Sequence, residues 1–212
     1  MISPLQTDER ARATNVRGRR ANASVLEAAT QLFAERGYMG TSIADVAVIS
    51  GVAKPSVLYH YPDKDSLWKA VVTVLWTNVD AFYAANFPVA EPPSRERLTI
   101  LVGLFVQAAL RWPAYIRIPF IEGASPSWRS NWLVDNHFGR HVLAVDGLIR
   151  ALQASGDIGS GDPAHFQALL SSSVNVFVAQ GAMWDRAYSR ALDGEASLKA
   201  AVALALDHLF QK

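Results

Sequence analysis

The chain has 212 residues, half of them hydrophobic and 18% charged, and it contains no cysteine. Such a composition excludes collagen, low-complexity disorder, disulfide scaffolds, thiolate zinc sites and cysteine nucleophiles, and the length is ample for a buried core. A formal net charge of +1 gives no whole-chain preference for polyanions, so charge must be read locally.

Five arginines (Arg10, Arg12, Arg17, Arg19 and Arg20) stand between residues 10 and 20 with no acid among them. Residues 1–19 are expected to form a basic, flexible tail able to follow phosphates. No apolar run suited to a signal peptide lies in residues 1–22, and the longest uncharged stretch, 166–184, is broken by serines, Asn175 and Gln180. The expectation is a soluble, cytoplasmic protein with no membrane partner.

Helical periodicity dominates the rest, and no convincing strand appears. Val25, Ala29, Leu32 and Phe33 line one face of a helix from Arg20 to Arg36, which Gly37 ends. Ser42 and Asp45 form a capping box for a short helix reaching Ser50, with Ile43, Val46 and Ala47 inward. Gly51 supplies the turn, Pro55 sits in the first turn of the next helix, and Pro62 ends that helix near Tyr61. Asp63 caps a long helix from Lys64 to Asn86. After the prolines at 88, 92 and 93, Ser94 caps a helix to Trp112, and Pro113 and Pro119 are each expected to break or kink the helical chain. Ser127 opens a run to Ser155, broken near Gly139. Pro163 starts a helix to about Arg190, and Glu195–Phe210 closes the chain with a stripe from Leu198 to Leu209.

Two short helices joined through a glycine and braced by a third make a helix-turn-helix, whose second helix enters a DNA major groove. On that second helix Lys54, Ser56, Tyr59 and His60 should point outward while Val57 and one aromatic turn inward. A cation, a hydroxyl, a phenol and an imidazole can donate to phosphates and base edges, and no acid opposes them. Short polar helices also link all-α domains of other kinds, so the pattern leaves that alternative open.

In order, Gly37-Tyr38, Thr41-Ser42-Ile43, Asp45-Val46-Ala47, Gly51-Val52, Lys54-Pro55-Ser56, Val57-Leu58-Tyr59-His60-Tyr61 and Lys64-Asp65-Ser66-Leu67 resemble the DNA-binding head of the TetR family of bacterial transcriptional regulators. The resemblance runs without a gap over about residues 20–70. It implies DNA contacts from Thr41, Ser42 and Ala44, from Lys54, Pro55, Ser56, Tyr59 and His60, and from Lys64, which would hold a phosphate. The chain departs at Leu58, where the family usually carries a tyrosine, so Tyr59 would bear more of the binding.

The resulting expectation is an all-α protein: a tail over 1–19, a three-helix helix-turn-helix domain over 20–66, and a larger helical effector-binding and dimerisation domain over 67–212. Its partners would be a palindromic operator in double-stranded DNA, a small apolar or aromatic effector and a second copy of itself, and its output would be repression. Trp76, Phe105, Trp112, Tyr115, Trp132 and Phe177, drawn from an aromatic set richer than a small bundle needs, are candidate effector contacts together with Glu122, which in its apolar stretch is either a lone polar anchor in a pocket or a solvated helix end. Dimerisation is assigned to the last two long helices, where Ser172, Ser173, Ala179, Gly181 and Ala182 permit close approach and the Leu198–Leu209 stripe supplies apolar area; the same stripe could instead close the monomer's core. No catalytic residues, cofactor or metal are assigned. Ser66-x-x-Lys69 lacks the other parts of a serine acylase, and Gly156, Gly159 and Gly161 lack the strand of a nucleotide fingerprint. His137 and His141, with Asp135 or His165 nearby, read as surface or hydrogen-bonded histidines. The rival readings are an interaction module with a degenerate head, which Leu58 favours, and a helical small-molecule enzyme.

Overall fold

The computed structural model describes residues 4–88 and 91–211, with side chains from residue 18 onward in the first helix. The protein is all-α, with ten α-helices, one π-helical turn and no strand among the described residues. Two compact units divide within the fourth helix, between Val74 and Leu75. The first unit holds α1 (Pro4–Arg36), α2 (Ile43–Ser50), α3 (Lys54–His60) and the start of α4 (Lys64–Asn86). Its core is Val25, Leu32 and Phe33 of α1, Val46 of α2, Val57 of α3, and Leu67, Trp68 and Val71 of α4, all essentially inaccessible. These are the positions at which helical spacing meets apolar chemistry, and their burial drives the unit together.

One boundary departs from the sequence reading. α1 begins at Pro4, so the backbone of the basic segment continues the helix instead of starting it at Arg20. Residues 5–17 contain no glycine or proline, and Gly18 costs a helix only about 1 kcal/mol relative to alanine. The side chains of Arg10, Arg12 and Arg17 lie outside the described residues, whereas Arg19 and Arg20 are exposed.

The second unit holds the remainder of α4 with α5 (Arg95–Arg111), α6 (Ala114–Glu122), α7 (Trp128–Leu133), a π-turn (Val134–Phe138), α8 (Gly139–Ala154), α9 (Pro163–Tyr188) and α10 (Glu195–Phe210). Pro113 separates α5 from α6 as expected, but Pro119 lies inside α6 and does not break it. In a helix of nine residues the missing N–H deprives one carbonyl, that of Tyr115, and the rest of the helix is kept by burial of Ile116 and Ile118. The break expected near Gly139 is the π-turn: a Cβ at Gly139 would stand 2.8 Å from the Val134 carbonyl oxygen, so only glycine lets the wider turn close there. α9 bends at Gln180 (φ −119°, ψ 18°), where Arg117 Nε donates to the Val178 carbonyl at 3.1 Å.

α10 packs on α5 and α9 within this unit. Leu198, Val202, Ala205, Leu206 and Leu209 are buried there, so the stripe assigned to dimerisation closes the unit's own core, the alternative left open by its spacing. Leu204, on the opposite face, is 74% exposed. Of the small residues on α9, Gly181 is buried, Ser173 donates to the Leu170 carbonyl, and Ser172 is exposed. No single helix among the described residues is long and apolar enough to cross a membrane.

Candidate nucleic-acid interface and body cavity

The turn into α2 is built by side-chain hydrogen bonds. Asp45 N donates to Ser42 Oγ (3.1 Å), while Ser42 N and Oγ donate to Asp45 Oδ2 (3.1 and 2.6 Å), which closes the capping box read from the sequence. Those bonds, from the Ser42 side chain first and its backbone second, hold the Asp45 carboxyl below the usual carboxylate range. Gly51 ends α2 with φ 67°, left-handed backbone that a side chain resists. α3 then starts over Pro55 and stops when Tyr61 N donates to the Val57 carbonyl.

Of the residues expected on the DNA side, Ser42, Ala44, Lys54, Pro55, Ser56, Tyr59 and His60 are all exposed, and Tyr59 is 86% so. The inward aromatic is Tyr61, whose Oη donates to Asn22 Oδ1 at 2.7 Å and whose burial pushes the phenol up from its ordinary value. α3 carries no acidic side chain. Two expected contacts are placed otherwise. Thr41 is buried and its Oγ1 donates to the Gly37 carbonyl at 2.9 Å, so it shapes the α1–α2 turn instead of presenting a hydroxyl. Lys64 is half-buried: Nζ donates to the Tyr38 and Thr41 carbonyls at 3.0 and 3.1 Å and stands 4.0 Å from the Tyr38 ring centroid. An ammonium with three donors has two committed to backbone, because Tyr38 and Thr41 flank the loop that leads into α2. Tyr38 Oη in turn donates to Asp65 Oδ1, and the Tyr38 ring stacks on Phe33. This Tyr38–Lys64–Asp65 cluster escapes a reading of the sequence because its members lie 26 and 27 residues apart and none repeats at a helical spacing.

The second unit encloses a cavity of about 630 Å³, walled by α4, α5, α6, α8 and α9 and by Phe138 of the π-turn. Of the seven candidate effector contacts, Trp76, Phe105 and Tyr115 line it, with Tyr115 at 5.1 Å from Trp76 and 6.2 Å from Phe105 between ring centroids. The other four do not. Trp112 packs edge-on to Phe82, Trp132 packs on His137, and Phe177 packs on Trp184. Glu122 is buried and accepts from Arg129 Nε at 2.6 Å, so its polarity is spent in an ion pair rather than in the cavity. Lining residues that the sequence reading misses include Tyr83, Phe87, Arg97, His141, Gln167 and Asn175. Burial pushes the Tyr83 and Tyr115 phenols well above their ordinary range. The side-chain oxygen of Asn175 and the indole nitrogen of Trp76 are buried with no hydrogen-bond partner.

Of the two histidines His141 has the partner expected of it and His137 does not. His141 Nε2 lies 2.9 Å from Asp80 Oδ1, and Arg140 pairs with Asp80 as well. His137 is buried between Trp76 and Trp132, and neither ring nitrogen has a hydrogen-bond partner, so it is neither a surface nor a bonded histidine. Burial lowers the affinity of both rings for a proton. Among the described residues no three histidine or carboxylate side chains converge as a metal site.

Residues 25–71 match the family model for bacterial regulatory proteins of the tetR family. The head belongs to the TetR family. Over the TetR head the chain is 33% identical to the HTH-type transcriptional regulator RutR of Escherichia coli (strain K12) along 66 residues, 31% of this chain and 29% of that protein. It is 42% identical to the HTH-type transcriptional repressor Rv3405c of Mycobacterium tuberculosis along 66 residues, 31% of this chain and 35% of the relative. These matches therefore span about a third of the relatives' own length. Beyond the TetR head the likeness is one of architecture. The hemolysin II transcriptional regulator HlyIIR superposes with a TM-score of 0.71 at 19% identity, covering 92% of this chain and 99% of that one. A regulatory protein of the tetR family from Rhodococcus RHA1 gives 0.69 at 22% identity, covering 91% and 98%. At these identities the superpositions establish the all-α fold.

Proposed function

We propose that the chain is a transcriptional regulator that binds a palindromic operator as a homodimer through α2 and α3, and that a small apolar or aromatic effector in the body cavity releases it, so that its output is repression. The observation that carries the reading is the outer face of α3, where Lys54, Ser56, Tyr59 and His60 stand exposed on a helix with no acidic residue, in a head that matches the tetR family of bacterial regulatory proteins. Exposed Arg19 and Arg20 add positive charge to the same unit. Base edges would be read by Lys54 and Tyr59, and phosphates by the α2 N-terminus and the basic segment. Repression follows the name of one relative, Rv3405c, and the effector follows from a largely apolar cavity with unpartnered polar atoms on its wall. A second copy would dock on the outer faces of α9 and α10, where Leu169, Met183 and Leu204 are exposed. The test is binding to duplexes from the region upstream of the chain's own gene, measured by fluorescence anisotropy across a salt series. A specific site should lose affinity with a log–log slope of about −0.9 per phosphate neutralised. Equal, weak binding to every duplex, the operator region included, would refute it.

A further inference from the structure

We infer that the body cavity takes an amphipathic monocarboxylate, with the carboxylate on Arg97 and the apolar body running toward Trp76; the inference rests on the reading of this cavity as the effector site. Among the described residues no aspartate or glutamate lines the cavity, and Arg97 is its one arginine or lysine. Arg97 is half-buried, and its charge has no carboxylate partner among the described residues. Its Nη1 donates to the Glu91 backbone carbonyl, its guanidinium lies 5.0 Å from the Phe87 ring centroid, and its Nε is buried with no hydrogen-bond partner. A guanidinium is a planar fork suited to a carboxylate, and one left beside apolar walls is stabilised by an anion that brings the missing acceptors. The position also lies in the first turn of α5, whose N-terminal end favours negative charge. His141, the other basic side chain on the wall, already faces Asp80.

Length and polarity are set by the same two helices. Arg97 and Phe105 both line the cavity eight residues apart on α5, a separation of roughly 12 Å at 1.5 Å per residue. Phe105 packs on Tyr115 and Tyr115 on Trp76, so the end away from Arg97 is walled by aromatic rings. On α4 the order is antiparallel: Phe87, just past its end, stands beside Arg97, and Trp76 beside Tyr115. A ligand that fits has one anionic end and an apolar chain or ring system. A dicarboxylate would leave a second charge among Trp76, Phe105 and Tyr115 with no counter-ion, and a cation would oppose Arg97.

Octanoate and octanol, alike in length and differing in the charge of the head, separate the idea from simple hydrophobic filling. Isothermal titration of the full chain should show octanoate binding at least about tenfold tighter than octanol. Arg97→Gln should abolish that preference and leave octanol binding unchanged, while Arg97→Lys should retain part of it; helicity and melting temperature establish that each variant is folded. Equal affinities in the wild-type chain, or a preference that survives Arg97→Gln, would overturn the inference. Failure of both compounds to bind would overturn it together with the effector half of the proposed function. Octanoate binding that obeys Arg97 yet leaves DNA affinity unchanged would uphold the site and sink only its regulatory role.

Discussion

Replacing Lys64 with methionine separates two roles that a lysine at the start of α4 can play. Methionine keeps the length of the stem and removes the charge and the donors. In the structure Nζ bonds the Tyr38 and Thr41 carbonyls at 3.0 and 3.1 Å and lies 4.0 Å from the Tyr38 centroid. A hydrogen bond to a charged group contributes about 1.5 to 3 kcal/mol. Because Lys64 is half-buried, solvent screening reduces the sum of two to roughly 2 kcal/mol. For a chain of this size that corresponds to a drop of roughly 4 to 8 °C in melting temperature, read by circular dichroism. The loop from Tyr38 to Thr41 leads straight into the Ser42 cap, so DNA affinity should fall for every sequence while the salt slope stays constant. A phosphate contact predicts the reverse, an unchanged melting temperature and a slope shallower by about 0.9. That second pattern would refute the positioning role drawn from the geometry.

Lys54→Ala and Tyr59→Phe should each redistribute affinity among operator variants by about 1 to 3 kcal/mol, measured by competition with single-base substitutions, and leave the melting temperature unmoved because both side chains are exposed. Burial holds the His137 proton affinity below its ordinary value of 6.5, so the unfolded chain takes up that proton first as pH falls; stability should be level above about pH 6.5 and decline below it. His137→Phe, which suits a slot between Trp76 and Trp132, should flatten that decline in denaturant titrations at a series of pH values. Leu204→Glu should yield a folded monomer by light scattering if the outer face of α10 is the dimer interface, whereas Ala205→Glu should unfold the second unit, since Ala205 is buried within it.

Helix boundaries are legible wherever a terminus is set by local chemistry. Ser42 with Asp45, Ser94 and Ser127 each cap a helix through bonds spanning three residues, and Gly51 and Pro163 act through their own backbones. Such signals are complete within one turn of chain, so composition and spacing suffice. Pro119 leaves break and kink undecided for the complementary reason. A proline's cost depends on whether the deprived carbonyl and the surrounding helix are supported by packing, and that support comes from other helices. The N-terminal start of α1 is hidden by charge: a run of arginines reads as solvated tail, although arginine is itself a good helix former.

Sites are harder to read than helices, because periodicity assigns a side chain to a face but not to a depth. On α3 that distinction hardly matters, since a seven-residue helix has one buried position, Val57, and everything else on it is surface. In the body it decides the outcome. Trp76 and Trp112 are equally aromatic residues on or beside amphipathic helices, yet one walls the cavity and the other covers Phe82, because α4 and α5 face each other with a register the spacing does not encode. Arg97 shows the opposite failure. Its place in the first turn of a helix says nothing of a ligand, and only the burial of its Nε and the absence of acids from the described cavity wall turn it into an anchor. The stripe on α10 obeys the same logic: Leu198, Val202, Leu206 and Leu209 satisfy the spacing of a core and of a dimer interface alike, and the choice between them is made by α5 and α9, which already cover that face. An isolated helix discloses its apolar direction; the identity of whatever lies in that direction belongs to the packing of its neighbours.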